Sequence, residues 1–314
     1  MSEGFLRCPR CGNENRAESF SCSFCGKRLR IEKIEKIQYF QKIFQRIESE
    51  WVAPNPWYLN IIYLFIDPSR AFWDINHKRS KSPGYYILLF NSLLWGLMGL
   101  AFLSHFRFVS IDEEPVNPLS ISLFPIGLST FLAFFIFGFI FQAIFYLILI
   151  WLFTLGANYA VGFSEKLEDR FAKEKKDKYK ESEISPFSIY KSGTLLQKQQ
   201  AFKYKMLMCA FAPFLLINTV KILIILIAFP TVEVDISKDE LDQSIFNAMF
   251  RSPVWAALDI IDALTIAIWI PILMTIAIRE LGNTSTTRVL ISSLSIGITV
   301  AIFFYFLRPT LFGA

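Results

Sequence analysis

The chain has 314 residues, of which 54% are hydrophobic, a mean hydropathy of +0.41 and a formal net charge of +5. A composition this apolar argues against an ordinary soluble domain. The apolar residues gather into blocks of about twenty or more with almost no charge, long enough to cross a hydrocarbon core about 30 Å thick. The first thirty residues are instead polar and rich in cysteine, so we expect no secretory signal peptide there.

Four of the five cysteines stand in two identical Cys-x-x-Cys-Gly units, Cys8 with Cys11 and Cys22 with Cys25. The two-residue gap lets both thiolates of a unit reach one metal ion, and the glycine permits the turn that aims backbone amides at the sulfurs. Two such units supply the four thiolates of a closed tetrahedral site. The sequence therefore predicts a structural zinc ribbon in residues 1–30, with no open metal position for catalysis.

Two other states of these cysteines stay open at this point. A rubredoxin-like iron centre uses the same four thiolates, and two disulfides require an oxidising compartment. The fifth cysteine, Cys209, lies in an apolar block without a second Cys or His beside it, so it is predicted to pack as a small hydrophobic side chain. The ribbon is basic but has few aromatic platforms for bases, so we expect a structural or protein-binding role and no nucleic acid.

Residues 31–52 form a predicted amphipathic linker helix, which Pro54 and Pro56 terminate. Its apolar side chains recur every three or four positions: Ile31, Ile34, Ile37, Phe40, Phe44, Ile47 and Trp51. Both signs of charge are mixed on the polar face, whereas helices that lie on a membrane surface are usually richer in Lys and Arg. This pattern favours a helix that docks on the bundle or pairs as a coiled coil.

The next segment, residues 53–84, is predicted to lie at the membrane interface. Asp67 precedes Pro68, which predicts a helix N-cap and a helix that continues through Asn76. Aromatic side chains typical of the headgroup level occur in the same segment: Trp57, Tyr58 and Trp73.

Five apolar blocks in residues 85–314 predict a five-span helical bundle, and hence an all-α membrane protein. The blocks are Tyr85–Ser104, Leu123–Phe153, Met206–Phe229, Val254–Ile278 and Val289–Leu307. The second block is ambiguous because its apolar stretch continues to Phe163. It is compatible with one long or protruding helix, and also with two helices joined by a tight turn.

Loop charges favour five spans over six. The connector Ser164–Lys205 holds eleven Lys or Arg residues, whereas the loops His105–Ile121 and Pro230–Pro253 are acidic. With five spans, the basic connector and the basic residues before the first span fall on one side, which the positive-inside rule makes cytoplasmic. The N-terminus is then predicted to be cytoplasmic and the C-terminus outside.

Three charged residues fall inside the apolar blocks: Lys221, Asp259 and Asp262. A charge at the centre of a bilayer costs roughly 2.5–3.5 kcal/mol on insertion scales. Lys221 stands eight residues before the outer end of the third block and Asp262 eight residues after the outer start of the fourth, which is the same depth, about 12 Å. We therefore predict an intramembrane ion pair of Lys221 with Asp262 or Asp259, either a structural clamp or a proton or ion relay.

The sequence Phe65-Ile66-Asp67-Pro68-Ser69-Arg70-Ala71-Phe72-Trp73 resembles the Pro-x-x-Ala-Phe juxtamembrane element of the Yip1 domain family. Asp67, Pro68, Ala71 and Phe72 carry the likeness, and five spans with a charged loop after the second agree with it. With its N-terminal ribbon, the chain resembles a prokaryotic variant such as an archaeal one.

The resemblance implies a membrane scaffold or adaptor of the kind that eukaryotic members provide in vesicle trafficking. The partners it implies are the lipid bilayer and cytoplasmic or membrane proteins, with a homo- or hetero-oligomer also compatible. The alternative is a transporter, channel or lipid-handling protein that uses the region of Lys221, Asp259 and Asp262. We expect no enzyme, because the sequence shows no catalytic constellation: His77 and His105 lie on opposite sides of the first span.

Overall fold

The computed structural model of the protein describes residues 5–22, 25–46, 55–77, 82–110, 113–116, 124–167, 201–235 and 252–311. Within these residues, five helices are long and apolar enough to cross a membrane. They are α5 (Gly84–Leu103), α6 (Phe124–Val161), α7 (Ala201–Ala228), α8 (Pro253–Gly282) and α9 (Thr286–Leu311). The predicted five-span helical class is confirmed, and the protein is an integral, multi-pass membrane protein.

The ambiguous second block is one helix. α6 runs for 38 residues, about 57 Å at 1.5 Å per residue, without a break at Gly156. The glycine serves close packing there, because a Cβ at that position would lie 2.3 Å from Cδ1 of Ile296. A helix this long exceeds the hydrocarbon core by a wide margin, so part of it extends beyond the membrane or the helix is tilted.

Two spans depart from regular α-helix next to a proline. In α7, a 3₁₀ turn at Met208–Phe211 comes just before Pro213, and in α8 a π-helical segment at Thr265–Trp269 comes just before Pro271. Proline has no backbone N–H and its ring clashes with the preceding turn, so the hydrogen-bond pattern changes there.

The linker before the first span differs from the single helix that its sequence predicts. The linker contains two short helices, α1 (Lys33–Lys36) and α2 (Gln38–Phe44), separated by extended backbone at Ile37. The predicted single helix is therefore divided, and its last residues, 47–52, lie outside the described residues. Two helices follow, α3 (Trp57–Ile66) and α4 (Pro68–His77), of which α4 matches the helix predicted after Asp67.

Among the described residues, five short strands occur that the sequence patterns do not predict. In the ribbon, β1 (Phe5–Arg7) pairs antiparallel with β2 (Glu14–Arg16). The other three form a sheet of order β4-β3-β5, from β3 (Phe106–Ser110), β4 (Glu113–Val116) and β5 (Val232–Asp235). β3 and β5 pair in parallel because each directly follows a span, α5 or α7, and these two spans carry the chain in the same direction.

The chain divides into two compact units. The first contains Met1–Tyr85, Ile148–Ala212 and Ile270–Gly297, and the second contains Tyr86–Leu147, Pro213–Trp269 and Ile298–Ala314. In the first unit, α4 packs against α3 and against the last part of α8, and it buries Ala71, Phe72 and Ile75 completely.

The second unit is held together by close helix packing. Gly96 and Gly99 of α5 lie against the rings of Phe131 and Phe134, and Gly138 of α6 lies against Trp95. Small residues let transmembrane helices approach closely, where dispersion contacts replace the missing hydrophobic drive. A buried cluster joins α5, α7 and α8: Met98, Ala101, Phe102, Ile225, Phe229 and Leu258.

Candidate metal centre and buried polar sites

The four ribbon cysteines converge on one point. Their sulfur atoms all lie within 4.8 Å of one another, with 3.6 Å between Cys8 and Cys25 and 3.7 Å between Cys11 and Cys22. Four sulfurs bound at about 2.3 Å in a tetrahedron stand about 3.8 Å apart, so the arrangement fits one tetrahedral metal ion. All four cysteines are free thiols, and no disulfide joins any of them.

The backbone of each knuckle supports the site. Gly12 and Gly26 adopt φ of +75° and +68°, the left-handed region that favours glycine, and their N–H groups bond to the carbonyls of Cys8 and Cys22. The backbone N–H of Arg10 donates to Cys8 Sγ at 3.4 Å. The knuckle glycines thus have the role that the spacing predicts.

The electrostatics of the thiols also fit a cation. Burial raises the pKa of Cys8, but backbone N–H groups of Cys11 and Arg10 outweigh it and lower the pKa to about 6. For Cys11, the N–H of Asn13 lowers the pKa. Burial and the neighbouring cysteines together raise it by more, so that the net pKa is about 12. Cys8 and Cys11 therefore do not ionise together at neutral pH on their own, whereas a bound cation stabilises thiolates.

The ribbon is joined to the loop between α8 and α9 through one asparagine. Asn283, in the left-handed conformation with φ of +50°, accepts hydrogen bonds from Ser21 N at 3.0 Å and Ser21 Oγ at 2.9 Å. Its Nδ2 donates to Ser21 O at 2.8 Å. Ser21 directly precedes the metal-site residue Cys22, so the second knuckle is fixed to the helical part of its unit.

Arg46 is the centre of a polar group, buried except for the half-buried Glu32, that we call the linker cluster: Glu32, Glu35, Arg46, Arg279, Thr284 and Thr286. Arg46 Nε donates to Glu35 Oε1 at 3.0 Å, and its Nη2 donates to the carbonyl of Thr284. Its guanidinium also lies 4.7 Å from the ring centre of Phe20 in the ribbon. One side chain thus contacts the ribbon, the linker and the α8–α9 loop.

Arg279 occupies the other part of the linker cluster, at the end of α8. It is completely buried and donates to the carbonyl of Phe44 and, at 2.9 Å, to Ser69 Oγ. Its Nε lies 3.3 Å from Glu280 Oε1. Arg279 therefore ties the linker helix α2 and the juxtamembrane helix α4 to a membrane span.

Glu32, a residue of the linker, caps the N-terminus of the last span, α9. Its Oε2 accepts hydrogen bonds from the backbone N–H groups of Thr286, at 2.7 Å, and Thr287, at 3.1 Å. These are the first residues of α9, whose N–H groups have no partner inside the helix and carry the positive end of its dipole. A carboxylate of the linker thus stabilises the start of a membrane helix.

The four residues of the juxtamembrane motif have structural positions. Asp67 Oδ1 accepts from the backbone N–H of Arg70 at 3.2 Å, the bond of an N-cap, and Pro68 is the first residue of α4. Ala71 and Phe72 are fully buried. Their observed contacts are packing and capping inside the first unit.

The intramembrane charges lie in the second unit. Lys221 Nζ donates to Asp262 Oδ2 at 2.8 Å and Oδ1 at 3.1 Å, so Asp262 is the partner among the two aspartates that the sequence allows. The lysine side chain is 8% exposed and the aspartate side chain 25%. Asp259, one turn earlier on α8, borders the same cavity of about 10 Å³, which is at the lower limit for a single water.

A row of neutral polar side chains lies elsewhere in the second unit. Asn91 Nδ2 donates to Tyr146 Oη at 3.1 Å, and Asn218 Nδ2 donates to Asn91 Oδ1 at 3.2 Å. Gln142 Nε2 approaches the carbonyl of Asn91 at 3.5 Å. The residues join three spans, as expected of hydrogen bonds between membrane helices.

Sequence reasoning missed Glu32, Glu35, Arg46, Arg279 and Asn283 as site residues. The linker charges look like an ordinary solvated helix face, because Glu and Lys alternate there with apolar residues. Arg279 and Asn283 stand at the end of a span, where polar residues normally face water. The positive φ at Asn283 is the kind of position that asparagine tolerates, but nothing in the chain indicates which atoms it contacts.

Comparison with family models, with curated proteins and with solved structures finds no match for this chain. Membership of the Yip1 domain family therefore stays a prediction from the juxtamembrane motif and the arrangement of spans.

Proposed function

We propose that this protein is a membrane scaffold of the Yip1-like type, in which a zinc-held ribbon is fixed at the membrane surface and offered to cytoplasmic or membrane protein partners. The observation that carries the proposal is the docking of the ribbon. Asn283 and Arg46 connect it to the α8–α9 loop through hydrogen bonds and a cation–π contact. A ribbon fixed in this way presents a surface of constant shape, which lowers the entropy cost of binding a partner.

Zinc is the metal we assign to the four cysteines. A closed four-thiolate site is typical of structural zinc and adds folding free energy to a segment too small for its own core. An iron centre would use the same ligands. Metal analysis of the purified protein, together with its visible absorption spectrum, distinguishes the two because zinc thiolates are colourless.

The small volume beside the ion pair supports the scaffold over a transporter. The pocket that touches Asp259 and Asp262 has room for about one water, and Lys221 is paired with Asp262. As a scaffold, the protein needs no catalytic residues, and we assign none. Roles in membrane organisation or trafficking, and homo- or hetero-oligomers, are compatible with this function.

The test is crosslinking in native membranes followed by purification in mild detergent. Three variants are compared with wild type: Cys8→Ser with Cys22→Ser, Asn283→Ala, and Arg288→Gln as the control. The first removes the metal site and the second releases the ribbon from the loop. The third changes an exposed side chain in the first turn of α9, five residues after Asn283. A scaffold loses defined partners in the first two variants and keeps them in the third. A partner set that is identical in all four proteins contradicts the proposal.

The runner-up is a transporter, channel or lipid-handling protein. The row of Asn91, Tyr146 and Asn218 is the observation in its favour, because Asn218 lies three residues before Lys221 on α7. It predicts that the protein alone, in vesicles, moves a solute or lipid at a rate that Asp262→Asn abolishes. If such a rate is measured and no ribbon variant loses a partner, the scaffold proposal is wrong and the transport function takes its place.

A further inference from the structure

Among the described residues, helix α3 is the one helix of 10–17 residues that is as apolar as a membrane span. Its ten residues, Trp57–Ile66, contain no charged side chain, and the helix is about 15 Å long, half of a hydrocarbon core. It is therefore too short to span a membrane. Its sequence is nonetheless as apolar as a span.

Helix α3 has one buried face and one exposed face. Asn60 and Leu64 lie one turn apart and are each 1% exposed, packed into the first unit. On another face, Tyr58, Ile62 and Ile66 follow one another at four-residue steps and are 54%, 51% and 71% exposed. A helix of a soluble protein places polar side chains on its outer face, whereas α3 places two isoleucines and a tyrosine there.

The depth of α3 follows from what it contacts. It packs against α4 and against the 3₁₀ turn Met208–Phe211 of span α7. This turn begins seven residues after the start of α7, about 10 Å along the helix, and it comes just after Lys203 and Lys205, the last charges before the apolar part of the span. This contact places α3 at the level where the apolar part of α7 begins.

We propose that α3 is a membrane wedge: its Tyr58–Ile62–Ile66 face inserts among the acyl chains of the leaflet on the ribbon's side. Lipid fits this face because the face has no charge or paired polar group to recognise a protein, and because it is at the level of a span's own surface. A helix in one leaflet adds area to that leaflet alone. The protein therefore favours curved membrane in which the leaflet on the ribbon's side is the convex one.

Photocrosslinking of the full chain in its native membrane tests the insertion. p-Benzoylphenylalanine replaces Ile62 in one protein and Phe5, an exposed aromatic on ribbon strand β1, in the matched control. We expect a lipid adduct, seen as a mass shift of the purified protein, at position 62 and none at position 5. A crosslink from position 62 to another protein identifies the face as a protein interface and overturns the proposal. So does equal lipid labelling at both positions.

A second measurement tests the curvature. Fluorescently labelled protein is reconstituted into vesicles of mixed size, and its density per membrane area is measured for single vesicles. Wild type should be about twofold denser in the smallest vesicles, as for helices that sense lipid packing, and Ile62→Ser with Ile66→Ser should remove this preference. Phe5→Ser is the control and should behave as wild type. Equal densities for wild type at all sizes overturn the wedge, whether or not the ribbon binds partners.

Discussion

The linker cluster and the intramembrane pair both remove charges from water, but the partners that replace the water differ between them. Lys221 and Asp262 face each other as a simple pair, with a quarter of the aspartate side chain still exposed. Arg46 and Arg279 are buried among backbone carbonyls, hydroxyls and carboxylates from four separate segments of the chain. The pair joins two helices that the membrane already holds. The cluster instead joins the ribbon, linker and juxtamembrane helix to the spans, so more of the structure depends on it.

Metal removal should have the largest effect on stability. It should unfold the ribbon and leave the intramembrane pair unaffected. Structural zinc contributes on the order of 10 kcal/mol to the folding of small ribbons. A strong chelator, or Cys8→Ser with Cys22→Ser, should make the chain before Glu32 sensitive to protease, while the spans α5–α9 stay protected. Mass spectrometry of the fragments measures both. Protection of the ribbon after complete loss of metal would contradict the assignment.

Arg279→Met should be the most destabilising single change in the linker cluster, by about 3–5 kcal/mol, because it leaves the buried carbonyl of Phe44 and the hydroxyl of Ser69 without their donor. Thermal unfolding in detergent measures it. Arg288→Met, at an exposed arginine in the following helix turn, is the matched control and should stay within about 0.5 kcal/mol of wild type. Equal effects of the two changes would show that the cluster does not stabilise the fold.

Lys221→Met and Asp262→Asn should each cost about 1–3 kcal/mol, less than the change at Arg279, because Asp262 is partly exposed and can recover other partners. The double variant Lys221→Met with Asp262→Asn should be more stable than the less stable single variant, since no buried charge is left alone. A double-mutant cycle in detergent or bicelles measures the coupling. Strictly additive losses would exclude a direct pair.

Glu32→Gln should weaken the start of α9 by about 1 kcal/mol, the usual contribution of an N-cap carboxylate. The amide side chain keeps an oxygen acceptor but loses the charge that interacts with the helix dipole. Hydrogen exchange at Thr286 and Thr287 should become faster, while exchange in α7 and α8 near the ion pair should not change. Lys33→Gln, next in the chain, is the control for a change of linker charge.

The ion pair of Glu18 should make the smallest contribution to stability, and this contribution should depend on pH. Lys166 Nζ donates to Glu18 Oε2 at 2.9 Å, and this contact holds the pKa of Glu18 below its usual value of 4.5. A lowered pKa in the folded state means that the pair stabilises above pH 4.5 and that this contribution is lost as the pH falls through the folded-state pKa. Because the glutamate is largely exposed, salt screens the pair and we expect less than about 0.5 kcal/mol.

Glu18→Gln should remove that small pH dependence and leave the rest of the acid unfolding curve unchanged. The measurement is ribbon stability against pH at low and moderate salt, with Glu14→Gln as the control, since Glu14 faces Arg7 at a longer 3.9 Å. A Glu18→Gln profile identical to wild type at low salt contradicts the contribution.

Much of the architecture was predictable because it depends on local pattern. Cys-x-x-Cys-Gly spacing predicts the convergence of four sulfurs, and the length of the apolar blocks predicts five spans. The placement of Lys221 near Asp262 followed from depth, since a span has a fixed rise per residue and a membrane gives both helices a common origin. The strands β3 and β5 were missed, because pairing depends on two loops separated by more than a hundred residues.

The sequence by itself determined the membrane class, the convergence of the four cysteines and the matched positions of Lys221 and Asp262 along their spans, because each depends on spacing along one segment or on the thickness of the bilayer. Only the tertiary structure decided that α6 is a single helix, that the linker divides at Ile37, and that Asn283 holds the ribbon. It also decided that Arg46 and Arg279 are buried. The physical reason is that a charge in an amphipathic segment has water as its default partner, and only the folded chain brings together enough carbonyls and carboxylates to replace that water.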